Sequence, residues 1–114
     1  MAKDNKYRAV EGLLYSYKTL QHRINNADID IRLEQDSLKK EKLESEKVKL
    51  ELTRDKIENM INSLEPDEQN IIRLKYIDKL TWDEVEAKLN KLTARQLIRE
   101  RNRIINKKLI AYVG

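Results

Sequence analysis

The chain has no cysteine and no phenylalanine, one tryptophan, one proline and two glycines in 114 residues. Without cysteine there is neither a disulfide framework nor a thiolate metal site, and the composition fits a reducing compartment. With 5% aromatic and 39% hydrophobic residues, the apolar content suits thin helical layers rather than a wide core. Between Gly12 and Pro66 neither residue occurs, which argues against a sheet fold with many turns. No apolar run approaches the ~20 residues of a membrane span, and no signal-peptide core follows Met1. A cytoplasmic protein with no membrane partner is expected.

What the chain does have is charge. Charged residues make up 39% of it, with a net charge of +4. The excess is unevenly placed. Residues 1–64 hold 13 basic and 12 acidic side chains, residues 65–90 hold 4 and 7, and residues 91–114 hold 7 and 1. A positive patch of that kind at one end of a chain attracts a polyanion.

Residues 4–63 follow a helical pattern. Val10, Tyr17, Ile24, Ile31 and Leu38 recur every seven positions, with Leu13, Leu20 and Ala27 three residues on, a heptad repeat. Glu34 and Glu41 interrupt it, and a second series, Leu43, Leu50, Ile57 and Leu64, follows out of phase. Two architectures satisfy this. One is a helical hairpin folding back between residues 34 and 42, with Ser37 as a candidate cap. The other is a single helix about 90 Å long, discontinuous and paired with a second chain. Asn25-Asn26 offers an alternative break. Either way a polar helix with a narrow apolar seam needs a partner.

Pro66, Asp67 and Glu68 mark a new helix start, since proline suits the first turn and acids complement the positive helix end. Residues 66–77 form that helix, with Ile71, Ile72, Leu74 and Tyr76 apolar. Two capping boxes follow, Thr81-Trp82-Asp83-Glu84 and Thr93-Ala94-Arg95-Gln96. They open a helix over residues 82–89, with Trp82, Val85 and Leu89 toward the core, and a last helix over residues 94–111. The short connection between them makes a helix-turn-helix, a motif that places its second helix in the DNA major groove.

On the last helix Leu97, Ile98, Ile104, Ile105 and Leu109 form an apolar arc. The opposite arc carries Arg95, Gln96, Arg99, Asn102, Arg103 and Asn106. Arginine can pair with guanine O6 and N7, and asparagine or glutamine with adenine N6 and N7. Lys107 and Lys108 are placed for phosphates. Thr93 caps the helix at the same surface, while Arg101 lies nearer the apolar arc, suggesting a partly structural role. The expected DNA-binding set is therefore Thr93, Arg95, Gln96, Arg99, Asn102, Arg103, Asn106 and Lys107. His22, the one histidine, reads as a surface or seam residue. Asp28/Asp30 and Glu44/Glu46 read as solvated pairs. Tyr7, Tyr15 and Tyr17 read as packing along the coiled-coil seam, with a partner surface as the alternative. Neither a nucleophile–base constellation nor a phosphate loop is visible, so no enzyme, cofactor or metal is expected.

Leu64-Glu65-Pro66, Ile71-Ile72-Arg73-Leu74-Lys75-Tyr76, Lys79-Leu80-Thr81-Trp82-Asp83-Glu84-Val85-Glu86 and the run from Leu89 to Leu97 together resemble region four of bacterial sigma factors. Where that family has Gly-Leu-Ser/Thr, an aromatic and Glu-Ile-Ala, this chain has Lys79 for the glycine and Glu86 for the alanine. Its Leu-Gly-Ile-Ser turn corresponds to residues 89–93, lengthened by Lys91. Sigma region two has no counterpart. Taken with Leu14-Tyr15-Ser16-Tyr17-Lys18, Leu80-Thr81-Trp82 and the basic run 99–108, the whole chain resembles small phage late-gene regulators of the ArpU and RinA type.

The resemblance implies an all-α protein with two regions. Residues 1–63 would be a coiled coil or hairpin and residues 64–114 a sigma-like helix-turn-helix domain. It implies a transcriptional activator of late phage genes, acting in a low-GC Gram-positive host or prophage. Double-stranded DNA is the expected partner, with RNA polymerase and a homodimer through the N-terminal helices as further candidates. Two alternatives stand beside it, a small terminase subunit that marks phage DNA for packaging and a sigma-like polymerase adaptor.

Overall fold

Asp4 caps the first helix, its Oδ1 accepting from the Tyr7 amide at 2.7 Å, which satisfies one of the donors a helix start leaves unpaired. The computed structural model describes residues 4–114 and is all-helical across them. Helix α1 spans Asn5–Leu33 and α2 spans Ser37–Asn62. They pack as an antiparallel hairpin within one chain. The chain reverses at residues 34–36, so α1 runs unbroken through Asn25-Asn26. Asp36, rather than Ser37, is the cap of α2, accepting from the amides of Leu38 at 2.9 Å and Lys39 at 3.2 Å.

This reversal explains the phase break in the heptads. Val10, Leu20 and Ile24 are buried on α1, and Ile57 and Leu64 on the second series. Leu38, expected on the first seam, is 77% exposed. It belongs to α2, whose register restarts at the Asp36 cap. Asp28 and Lys47 pair across the hairpin, so Asp28 is not merely solvated as its spacing suggested.

Helix α3 covers Pro66–Ile72 and continues as a π-helical turn, Arg73–Ile77. Helix α4 is Trp82–Leu89. Helix α5 is Ala94–Ile104, prolonged by a π segment, Ile105–Leu109, and a 3₁₀ turn, Ile110–Val113. Two capped starts, at Thr81 and Thr93, hold as their sequences demand. Lys79 and Asn90 adopt left-handed backbone, at φ 59° and 52°. Asn90 thereby ends α4 in the conformation that glycine or asparagine tolerates best.

The main core crosses the expected 63/64 boundary. Tyr7, Val10 and Leu14 of α1, Ile57, Met60 and Ile61 of α2, Ile72 and Tyr76 of the α3 unit, and Ile104, Ile105 and Leu109 of the last helix form one cluster. A smaller cluster of Ile71, Val85 and Leu97, flanked by Leu74, Leu80, Trp82, Leu89 and Leu92, holds α3, α4 and α5 together. Leu14, Met60 and Ile61 are buried beyond the heptad seam because the α3 unit and the last helix cover a second face of the hairpin base. The far end of the hairpin has no such cover. Ile29, Leu33 and Leu38 are exposed there, as are Val48 and Leu52 farther along α2.

Candidate nucleic-acid interface

The corner between α4 and α5 is built from side chains that close each other's backbone donors. Thr93 Oγ1 accepts from the Gln96 amide at 3.2 Å, and Gln96 Oε1 accepts from the Thr93 amide at 2.9 Å. Glu86, which stands where the resembled family has alanine, is part of the corner. Its Oε1 reaches over from α4 and accepts from the Ala94 amide at 2.7 Å, a third donor of the α5 start satisfied. The recognition-type helix therefore leaves the corner at an angle set by hydrogen bonds from both sides.

Along α5 the expected residues divide into two groups. Thr93, Arg95, Gln96, Arg99, Asn106 and Lys107 are exposed. Among the described residues, Arg95, Arg99 and Lys107 have no carboxylate partner. Asn102 and Arg103 differ, because the structure ties both to other elements. Arg103 Nη2 donates to Glu68 Oε2 at 2.8 Å, and its Nε to Glu100 Oε2 at 2.8 Å. Asn102 Oδ1 accepts from the Tyr7 hydroxyl at 2.6 Å. Lys108 is also drawn off the phosphate-facing role its charge suggested, donating to Glu68 Oε1 at 2.7 Å.

The α5 face is thus framed on two flanks. On one, the first turn of α3 presents Glu68. Burial opposes the charge on this carboxylate, but donation from Lys108, Arg103 and the Glu65 amide outweighs that and holds it down to about 2, against an ordinary 4.5. On the other flank, the start of α1 presents Tyr7 and Glu11.

Arg101 joins that second flank to the core. It is 8% exposed. Its Nη1 donates to the Tyr76 hydroxyl at 3.0 Å and to Glu11 Oε2 at 3.3 Å, and its Nε to Asn102 Oδ1 at 2.9 Å. Its guanidinium lies 5.1 Å from the Trp82 ring centre and 5.9 Å from that of Tyr7. Tyr76 in turn donates to Glu11 Oε2 at 2.6 Å. Burial first, and the Glu11 acceptor second, push the Tyr76 hydroxyl well above its usual range, so it remains a donor. Trp82 takes Lys75 as well as Arg101 against its ring, Lys75 at 4.9 Å. Tyr7 is a core residue rather than a seam residue alone, Tyr17 donates to Glu58 across the hairpin, and Tyr15 packs edge-on against Tyr76.

Tyr7, Glu68 and Glu86 were not identified as site residues from the sequence. The capping position of Glu68 was legible, but its two basic partners lie 35 and 40 residues away. Tyr7 meets Asn102 across 95 positions, a separation at which no local pattern carries a signal. Among the described residues, no three His, Cys, Asp or Glu side chains converge in a way that would hold a metal ion. No described helix is long and apolar enough to cross a membrane.

The fold and this site define an all-α protein with two capped helices at a corner and a basic outer face on the second. The chain belongs to the family described as "Protein of unknown function (DUF722)", whose model matches residues 15–109. No curated protein and no solved structure matches it.

Proposed function

We propose that this protein is a sequence-specific DNA-binding transcriptional regulator, with α5 entering the major groove. The observation that carries this reading is the pair Arg95 and Arg99. They are exposed one turn apart at the start of a capped second helix, with no carboxylate partner among the described residues. Arginines so presented match the O6 and N7 acceptors of guanine. Lys107 adds a contact to the DNA backbone that positions without selecting. The resemblance to sigma region four and to small phage regulators supports late phage or prophage genes as the target. RNA polymerase is then a second partner.

Exposed apolar residues near the turn of the hairpin, Ile29, Leu33 and Leu38, support association of two chains through that end. The deciding experiment is selection of bound sequences from random duplex DNA. An enriched motif is expected, and two spaced half-sites within it would match a dimer. Absence of any enriched motif would sink the reading. Light scattering separates it from the packaging alternative, because a large ring favours a terminase subunit and a monomer or dimer favours a regulator.

A further inference from the structure

Asn102 lies on the outer arc of α5 with Arg95, Arg99 and Asn106, yet its carboxamide is held by two donors. Arg101 Nε reaches one side-chain atom at 2.9 Å, and the Tyr7 hydroxyl reaches the same atom at 2.6 Å. A guanidinium carries donors and no acceptor, so the atom it faces is Oδ1 and not Nδ2. That chemistry fixes which way round the carboxamide sits. The Tyr7 hydroxyl, which can donate or accept, must therefore donate.

Neither donor is free to swing away. Tyr7 is 3% exposed, with its ring in the main core. Arg101 is held by Tyr76, Glu11 and two aromatic rings. Burial, opposed in part by Arg101, pushes the Tyr7 hydroxyl up to about 12, so it keeps its proton at neutral pH. A carboxamide oxygen has two lone pairs, and both are occupied. What Asn102 retains is Nδ2, with two N–H donors and no acceptor.

The ordinary pairing of asparagine with adenine needs both functions: Nδ2 donates to N7, and Oδ1 accepts from N6. Here the second half is missing. Guanine presents two acceptors in the major groove, N7 and O6, and thymine presents O4. We infer that Asn102 is a donor-only reader that selects guanine, or secondarily thymine, against adenine, and that Tyr7 of the N-terminal hairpin sets this polarity without touching DNA. The inference rests on the major-groove reading of α5 and deepens it. Tyr7 is a positioning residue, and through it the hairpin contributes to base specificity.

The test is selection from random duplexes with the full wild-type chain, Asn102→Ala and Tyr7→Phe, each variant first checked by thermal melting. The position at which Asn102→Ala flattens preference is the one Asn102 reads. The wild type is expected to enrich guanine or thymine there and to deplete adenine by about fivefold or more. Tyr7→Phe keeps the ring in the core and opens one lone pair. It should raise adenine at that position by a similar factor and leave the remaining positions unchanged.

Adenine enriched there by the wild type overturns the inference. So does an otherwise intact motif in which Asn102→Ala flattens nothing, or an unaltered preference in a folded Tyr7→Phe. If Tyr7→Phe does not fold, wild type against Asn102→Ala decides alone. A wild type that enriches no motif removes the major-groove reading itself and the inference with it. That outcome is distinct from a motif carrying the wrong base.

Discussion

Arg103 on the last helix donates to Glu68 in the first turn of α3 at 2.8 Å, and this bond takes one arginine out of the face that a helical wheel assigns to DNA. With Lys108 on the other carboxylate oxygen, two of the seven basic residues among positions 91–114 serve the packing of α3 against α5. Arg101 serves the packing of α1. The charge left for a polyanion is concentrated at Arg95, Arg99 and Lys107.

Glu68 makes stability depend on acid. Its carboxyl titrates at about 2 when folded, against 4.5 ordinarily. A depressed folded value contributes stability that is full above the ordinary value and is lost as pH falls through the folded one. Between about pH 5 and pH 2 the protein should therefore lose on the order of 2 kcal/mol from this group. Glu68→Gln should lower stability at pH 7 by a similar amount and flatten the acid limb. Urea unfolding of both proteins at pH 7 and pH 3 checks this, and identical pH dependence would refute it.

Arg95→Ala and Arg99→Ala should each relax base preference by about 1–3 kcal/mol on the selected sequence. Lys107→Ala should weaken selected and random duplexes alike and reduce the salt slope by about 1. Titrations at several salt concentrations read both effects. Equal losses on selected and random DNA for all three variants would exclude base reading by the arginines.

Arg101→Ala should destabilise the fold by about 3 kcal/mol, the scale of breaking a buried ion pair from one side. The guanidinium is shared by Glu11, Tyr76 and Asn102, so its loss disturbs the α1, α3 and α5 contacts at once. Arg101→Lys should recover little, because an ammonium cannot present the same fork of donors. Chemical denaturation measures both, and a loss below about 1 kcal/mol in the alanine variant would contradict this assignment.

Lys79→Gly should stabilise by about 1 kcal/mol. Lys79 has φ 59°, a conformation that costs a side chain with a Cβ about 1–2 kcal/mol, offset in part by the freedom glycine adds to the unfolded chain. Asn90→Gly, at φ 52°, should stay within about 0.5 kcal/mol, because asparagine tolerates that region. Melting temperatures rank the two, and a destabilised Lys79→Gly would show that backbone strain does not govern stability at that turn.

Much of the local structure was legible. Thr81 with Glu84 and Thr93 with Gln96 announced two helix starts, because a capping box is a contact within four residues. The two heptad series out of phase announced a break that a hairpin or a discontinuous helix would equally satisfy, and the structure makes it a reversal at residues 34–36 with Asp36 as the cap. The turn residue itself was less legible, since Ser37 and Asp36 are both good caps and only backbone geometry chooses between them. The exposure of Leu38 was illegible for a related reason: a heptad count runs through a break that resets the helix phase.

Periodicity, and bonds closed over a few residues, were enough to read the helical segments, the capping boxes at Thr81 and Thr93 and the basic excess of the last helix. Which polar side chains stay outward is set by packing between elements far apart in the chain. Arg95 and Arg99 are left to solvent, Arg103 and Lys108 are drawn to Glu68, and Asn102 is held by Tyr7. Each of those outcomes depends on where α1 and α3 lie against α5, and that placement comes from one shared apolar core whose members stand tens of residues apart. A helical wheel assigns a side chain to a face, but what already occupies its hydrogen bonds is settled by the neighbour that the core brings beside it.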